Sequence, residues 1–149
     1  LLQALTASDA LVAFDPNLRP GLWPDTATMC AAVTEAAHYA DITLPSFADE
    51  ATYFGDATPD ITAKRYADAG ADLCVVKNGA EEILALAPQG VVRHRPAPVA
   101  DIVDTTAAGD SFNAGFLAAH LTGASLPDAL RAGSETAAQV IGARGALVG

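Results

Sequence analysis

Three short apolar runs, separated by helical stretches, constrain the fold of this 149-residue chain more than any other feature. The runs cover residues 10–14, 41–45 and 72–77, and each ends at polar or turn-forming residues. Continuous apolar runs of this length are typical of strands that are buried on both faces of a sheet. Their alternation with helices predicts an α/β layer fold with a largely parallel sheet.

Helix and turn signals divide the rest of the chain. Asp25 follows Pro24 at a helix start, while Gly70 and Gly123 mark helix ends. Asn78-Gly79 is a strong turn signal. We therefore predict helices over residues 25–39, 48–54, 60–69, 109–121 and 125–141, and a hairpin of strands 83–87 and 91–94 around Gly90.

Composition limits the classes of partner. Hydrophobic residues make up 51% and charged residues 17%, which excludes an intrinsically disordered chain. Eight basic and eighteen acidic residues give a net charge of −10, so we expect neither nucleic-acid nor membrane binding. Cys30 and Cys74 each lie in an apolar run, and we expect two buried thiols in a reducing, cytoplasmic setting.

The segment 104–116, Asp-Thr-Thr-Ala-Ala-Gly-Asp-Ser-Phe-Asn-Ala-Gly-Phe, is the most informative part of the sequence. Small residues at 107–109 allow a ligand to approach the backbone, and the first N–H groups of a helix form an anion site. A carboxylate at Asp110 can take a proton from a hydroxyl beside that site, as phosphoryl transfer requires. In the alternative, Thr106 or Asp110 caps the helix and Gly109 is a packing contact.

This segment resembles the C-terminal signature of the ribokinase-like (PfkB) carbohydrate kinases, although Ala107 stands where that family usually has glycine. Further similarities extend from about residue 10 to residue 145, and include Phe-Asp-Pro-Asn-Leu-Arg-Pro at 14–20, Leu-Pro-Ser-Phe-Ala-Asp-Glu-Ala at 44–51 and Val-Val-Lys-Asn-Gly-Ala at 75–80. The resemblance implies a three-layer ribokinase-like fold. It also implies that residues 1–149 are the C-terminal nucleotide-binding and catalytic part of a sugar kinase, with the N-terminal half and its lid absent.

The resemblance further implies ATP and Mg²⁺ as cofactors and phosphoryl transfer to a sugar or sugar-acid hydroxyl. Asp110 would be the base, and the N–H groups of Ala107, Ala108 and Gly109 would form the anion hole. The subgroup that the sequence resembles most phosphorylates 2-keto-3-deoxygluconate at its 6-hydroxyl. The alternatives are a fructokinase or other sugar kinase of the family, and a nucleotide-binding fragment without turnover. The resemblance is also compatible with a homo-oligomeric parent enzyme.

Other site residues are assigned on sequence signals that are less specific than the motif at residues 104–116. Arg19 follows a strand end, where it would contact a substrate carboxylate or phosphoryl oxygens, or pair structurally with Asp15. By resemblance, Glu50 or Asp49 would hold magnesium through water, with a preference for Glu50.

The nucleotide contacts are also assigned largely by resemblance. Lys77 would reach an ATP phosphate, and Gly79 would form a turn that permits close backbone approach. The remaining nucleotide candidates are Ser134, Ala137 and Ile141, placed against the adenine, and the segment at Arg144 resembles the closing loop of the family.

Overall fold

In the computed structural model of the chain, residues 9–100, 102–105 and 107–142 are described. Strands and helices alternate in them as the sequence predicts. The strands are β1 (Ala13–Phe14), β2 (Ile42–Thr43), β3 (Leu73–Val76), β4 (Ile83–Ala87) and β5 (Gly90–His94). The helices are α1 (Thr26–Ala37), α2 (Phe47–Tyr53), α3 (Pro59–Ala69), α4 (Ala108–Leu121) and α5 (Leu126–Ile141), with a 3₁₀ turn at Pro20–Leu22.

The five strands form one mixed sheet in the order β1-β2-β3-β4-β5. β1 and β3 both run parallel to β2, with Ile42 opposite Ala13 on one side and Leu73 on the other. β4 is antiparallel to β3. The carboxyl ends of β1, β2 and β3 therefore lie at one edge of the sheet, where α/β folds place their ligands.

The chain divides into two compact units. The first consists of the described residues up to Asn78 together with Leu84–Val91, and the second of Gly79–Ile83 together with the described residues from Val92 onward. The core of the first unit is built around Tyr66, Cys74, Val76 and Leu84, which are at most 1% exposed.

The two cysteines differ in burial. Cys74 is fully buried, and burial raises the pKa of its thiol to about 12. Cys30 is only partly buried, and its thiol donates to the Tyr53 carbonyl at 3.5 Å. Both are free thiols. The expectation of two buried cysteines is thus confirmed for Cys74 and too strong for Cys30.

Local capping explains where the elements begin and end. The carboxylate of Asp25 accepts the Thr28 N–H at 2.7 Å, so α1 begins after Asp25. Gly70 ends α3 in the left-handed conformation, with φ at 118°. β1 is shorter than predicted, since only Ala13 and Phe14 pair with β2 as strand residues. The Val12 N–H before them donates to the side chain of Asp41, at 2.7 Å, and the Val12 carbonyl accepts the Ile42 N–H at 3.1 Å.

In the second unit, α4 and α5 pack closely because glycines lie between them. A Cβ added to Gly115 would lie 2.8 Å from the Ala132 carbonyl oxygen, and one added to Gly133 would lie 2.9 Å from the Phe112 ring. Phe112 and Phe116 stack along α4, with ring centroids 6.1 Å apart. This packing fixes the helix whose first turn carries Asp110.

No helix within the described ranges is both long and apolar enough to cross a membrane.

Candidate active site

The first turn of α4 carries the predicted catalytic segment of the second unit. Its N-cap is Ala107, which has φ 61° and ψ 11°, and Asp110 lies inside the turn and is exposed. Asp110 is therefore not the helix cap, and Gly109 is exposed instead of packed. Both results go against the purely structural alternative for these two residues. Thr106 lies outside the described residues.

Some backbone N–H groups of this turn already form hydrogen bonds within the chain. The Ala108 N–H donates to the Thr105 carbonyl at 3.2 Å, and the Ser111 N–H donates to the Ala107 carbonyl at 2.8 Å. The alanine at the N-cap has no side-chain acceptor for the N–H groups that follow, and the helix dipole adds positive potential at this end. The turn is thus suited to an anion, which would compete with Thr105 for the Ala108 N–H.

The C-terminal end of α5 lies beside the strand-like segment that precedes the turn. The Ile141 carbonyl accepts the N–H groups of Val103, at 2.9 Å, and Asp104, at 3.2 Å. Ser134 is buried, and its hydroxyl donates to the Leu130 carbonyl at 3.0 Å, so this hydroxyl is satisfied within its own helix. Ala137 and Ile141 are half-buried and keep apolar surface. Arg144 lies outside the described residues.

A second group of candidate residues lies at the carboxyl ends of β1–β3, in the first unit. Lys77 Nζ and Asp15 Oδ2 form an ion pair of 2.7 Å, with the Lys77 side chain only 12% exposed. The other oxygen of Asp15 accepts the Asn17 N–H at 3.0 Å, which supports the left-handed φ of 39° at Asn17. Lys77 therefore has a structural partner, and its predicted phosphate contact would have to compete with Asp15.

Arg19 follows this loop and is exposed, with Nη1 donating to the Leu18 carbonyl at 2.9 Å. The carboxylate of Asp15, which the sequence offered as a structural partner for Arg19, is bound by Lys77. Gly79 has a φ of 57°, which confirms the predicted turn after β3.

Asp49 lies on α2 within the electrostatic reach of these groups. Burial raises the pKa of Asp49, the positive charges of Arg19 and Lys77 oppose that rise, and the negative charge of Asp15 reinforces it. The first turn of α2, which carries Asp49, is tied to Lys77 because the Phe47 N–H donates to the Lys77 carbonyl at 2.8 Å, and Lys77 is paired with Asp15. We call Asp49, Arg19, Asp15 and Lys77, two carboxylates and two cations, the edge cluster. This arrangement suits a ligand that carries both phosphoryl oxygens and a metal ion.

Glu50, the next residue on α2, faces the interior. It is fully buried, and its two oxygens bind Arg65 Nη2 at 2.6 Å and the Tyr66 hydroxyl at 3.0 Å. Burial raises the pKa of Glu50, against the opposing effects of Arg65 and Tyr66. The preference for Glu50 as the magnesium residue is therefore not supported by its position, and Asp49 is the better candidate.

Sequence reasoning missed Arg65, Asp56 and Tyr66, which surround Glu50. Their spacing along the chain follows no single periodicity, since they come from α3 and the loop before it. The sequence offers no signal for this group, because it does not show that Glu50, directly after Asp49, is buried. Among the described residues, no group of three or more His, Cys, Asp or Glu could hold a metal ion.

Comparison with known proteins adds independent information. The sequence model of the pfkB family carbohydrate kinases matches residues 1–148. The chain is 37% identical over 151 residues to a 2-dehydro-3-deoxygluconokinase of Dickeya dadantii (strain 3937), a match that covers 99% of this chain and 49% of that protein.

Solved structures show the same partial coverage. The crystal structure of a PfkB protein from Polaromonas sp. JS666 matches with a TM-score of 0.85 at 34% identity, over 95% of this chain and 46% of that one. A fructokinase from Vibrio cholerae O395, solved with fructose, ADP and calcium, matches with a TM-score of 0.85 at 26% identity, over 97% of this chain and 49% of that one. The chain spans about half the length of the relatives that it matches.

Proposed function

Because the chain belongs to the pfkB family of carbohydrate kinases, we propose that it is the catalytic and nucleotide-binding half of an ATP-dependent sugar-acid kinase. The observation that carries the proposal is the first turn of α4. There an exposed carboxylate, Asp110, lies three residues after an N-cap that has no capping side chain. A general base beside an anion-binding helix end is what phosphoryl transfer requires of a protein.

In the proposed reaction, Asp110 accepts the proton of the acceptor hydroxyl. The hydroxyl oxygen then bonds to the γ-phosphorus of ATP as the bond between that phosphorus and the bridging oxygen of ADP breaks. The N–H groups of residues 107–109, with the dipole of α4, stabilise the negative charge on the transferred phosphoryl group. Ala137 and Ile141 offer apolar surface to the adenine, and Gly79 allows close backbone approach beside the nucleotide.

Magnesium fits the edge cluster of the first unit only in an indirect role. Asp49 is half-buried. The other carboxylate of the edge cluster, Asp15, is paired with Lys77, and the neighbouring Glu50 is paired with Arg65. Mg²⁺ is usually bound by one or two carboxylates, several waters and substrate phosphates, so a single outer carboxylate suits an ion carried by ATP. When bound, the ion supplies charge neutralisation for the phosphates. Asp49 would hold the ion through water.

We propose 2-keto-3-deoxygluconate as the acceptor, phosphorylated at its 6-hydroxyl, in a cytoplasmic enzyme. Support comes from the similarity to the 2-dehydro-3-deoxygluconokinase of Dickeya dadantii and from Arg19, whose planar guanidinium suits a carboxylate. The alternative acceptor is fructose, as in the Vibrio cholerae enzyme, where Arg19 would instead contact phosphoryl oxygens.

Steady-state kinetics of the full-length protein with Arg19→Lys distinguish these acceptors. We expect KM for 2-keto-3-deoxygluconate to rise much more than KM for ATP, because an ammonium group loses the bidentate geometry. Arg131→Lys, an exposed arginine on α5, is the matched control and should leave both KM values unchanged. A fall in kcat with both KM values unchanged would indicate that Arg19 contacts the phosphoryl group, and would contradict the sugar-acid assignment.

A further inference from the structure

We infer that Arg65 is a positioning residue for magnesium binding: by holding Glu50 in the interior, it fixes the orientation of α2 and therefore the place of Asp49. This inference rests on the proposed role of Asp49 in holding nucleotide-bound magnesium. It concerns a group of buried polar residues, Glu50, Asp56, Arg65 and Tyr66, which we call the α2 anchor.

The α2 anchor is built around one guanidinium that bridges two buried carboxylates. Arg65 Nη2 lies 2.6 Å from Glu50 Oε2 and 2.7 Å from Asp56 Oδ2. Asp56 also accepts the hydroxyl of Thr62 at 2.9 Å, and the Tyr66 hydroxyl donates to Glu50 Oε1 at 3.0 Å. Each buried carboxylate therefore has two side-chain donors, as buried charges require.

Aromatic rings hold the guanidinium in place. The central carbon of Arg65 lies 4.0 Å from the ring centroid of Phe54 and 4.7 Å from that of Tyr66. These are cation–π distances, and the rings leave the planar fork little rotational freedom. Because Phe54 directly follows α2, the same guanidinium contacts both the middle and the end of this helix.

The anchor acts on a helix that is too short to fix its own orientation. α2 has seven residues, and its N-terminal end is held by the Phe47 N–H, which donates to the Lys77 carbonyl at 2.8 Å. That bond fixes where α2 begins but leaves rotation about its axis to the side chains. Successive residues of an α-helix are about 100° apart, so the inward position of Glu50 places Asp49 on a different face of the turn that Phe47 ties to Lys77.

In Arg65→Lys an ammonium group replaces the planar fork that binds Glu50 and Asp56 together, so the buried charge of Glu50 is less well paired. A poorly paired buried carboxylate is unfavourable, and a rotation of α2 that turns Glu50 towards water would relieve that cost. Such a rotation carries Asp49 away from the edge cluster. A residue that has no contact with the ligand thereby controls a carboxylate that orients metal-bound water.

The test measures metal binding directly in the full-length protein. We propose to titrate Mn²⁺ by electron paramagnetic resonance in the presence of a non-hydrolysable ATP analogue, for Asp49→Asn, Arg65→Lys and the double variant. Asp49→Asn and Arg65→Lys should each weaken Mn²⁺ binding about 10-fold or more, and the double variant should be little weaker than either. Binding of the analogue without metal should change less than about twofold.

Two further variants separate positioning from loss of stability. Tyr66→Phe keeps the ring beside Arg65 and removes only the hydroxyl that binds Glu50, so it remains informative if Arg65→Lys does not fold. Tyr66→Phe, like Arg65→Lys, should weaken Mn²⁺ binding. Ala63→Gly destabilises the buried face of α3 without touching Glu50, and should leave Mn²⁺ affinity within about twofold of wild type.

The outcomes distinguish the inference from the proposed function. If Asp49→Asn weakens Mn²⁺ binding but folded Arg65→Lys and Tyr66→Phe bind it as wild type does, the positioning role is wrong and the function stands. Equal losses in Ala63→Gly and Arg65→Lys would also overturn the positioning role. If Asp49→Asn itself has no effect, the proposed metal role of Asp49 fails, and the inference fails with it.

Discussion

Ala107 shows how a single residue shapes the catalytic turn. It adopts φ 61° and ψ 11°, a conformation that costs an L-residue with a side chain roughly 1–2 kcal/mol and costs glycine almost nothing. The family that the sequence resembles usually has glycine there, and the backbone explains that preference. The Cβ of Ala107 leaves the N–H donors of the turn unchanged, so the substitution affects stability more than chemistry.

We therefore expect Ala107→Gly to stabilise the full-length protein by about 0.5–1 kcal/mol, after the extra unfolded-state entropy of glycine is subtracted. Urea unfolding measures this change. Ala114→Gly is the matched control, because Ala114 is exposed in the middle of the same helix. It should lose up to about 1 kcal/mol through helix propensity. Equal destabilisation by both substitutions would show that the turn is not strained at Ala107.

At the same scale, Asp49 and Glu50 mark a limit of sequence reasoning. Two neighbouring acidic residues at a helix start are equivalent in a pattern, which does not show that Glu50 is buried and Asp49 only partly buried. The distinction depends on Arg65, 15 residues later, whose contact with Glu50 follows from packing and not from spacing. Likewise, the sequence does not show the ion pair of Lys77 with Asp15, which joins residues 62 positions apart.

At the scale of elements, the sequence was most reliable where a local chemical signal ends a helix or turns the chain. Asp25, Gly70 and Gly79 each do in the structure what their residue types predict. Strand length was less predictable: β1 covers only two residues of the apolar run, and the Val12 N–H before it donates to the side chain of Asp41, 29 positions later. Helix–helix contacts were not predictable, since one sequence does not show which glycines face a neighbouring helix.

Gly115 tests the packing of α4 on α5. A methyl group at this position would lie 2.8 Å from both the Ala132 carbonyl oxygen and the Thr136 Cβ, so the two helices would have to separate. Gly115→Ala should therefore destabilise the protein by about 1–3 kcal/mol, although alanine is the better helix former. Urea unfolding and kcat should both report the loss.

Gly21 provides the matched control for this substitution. No atom lies within 4 Å of a Cβ added there, and its φ is not positive. Gly21→Ala should change stability by less than about 0.5 kcal/mol. If Gly115→Ala is as harmless as Gly21→Ala, the close approach of α4 and α5 is not the reason for the glycine.

At the scale of the whole molecule, the sequence predicted the α/β class and the kinase family. A long motif and a regular alternation of elements can both be recognised in a sequence without knowledge of packing. Acceptor choice did not follow in the same way. The chain spans about half the length of the relatives that it matches. Activity and acceptor are therefore properties to measure on the full-length protein.

The most direct test of the account is the turnover of Asp110→Asn in the full-length protein. Asparagine keeps the size of the side chain but cannot accept the hydroxyl proton, so kcat should fall about 10²–10⁴-fold while ATP binding stays near wild type. Asp128→Asn changes an equally exposed carboxylate in the first turn of α5, and should leave kcat unchanged. An Asp110→Asn protein that keeps more than roughly a third of wild-type kcat would contradict the assignment of Asp110 as the base.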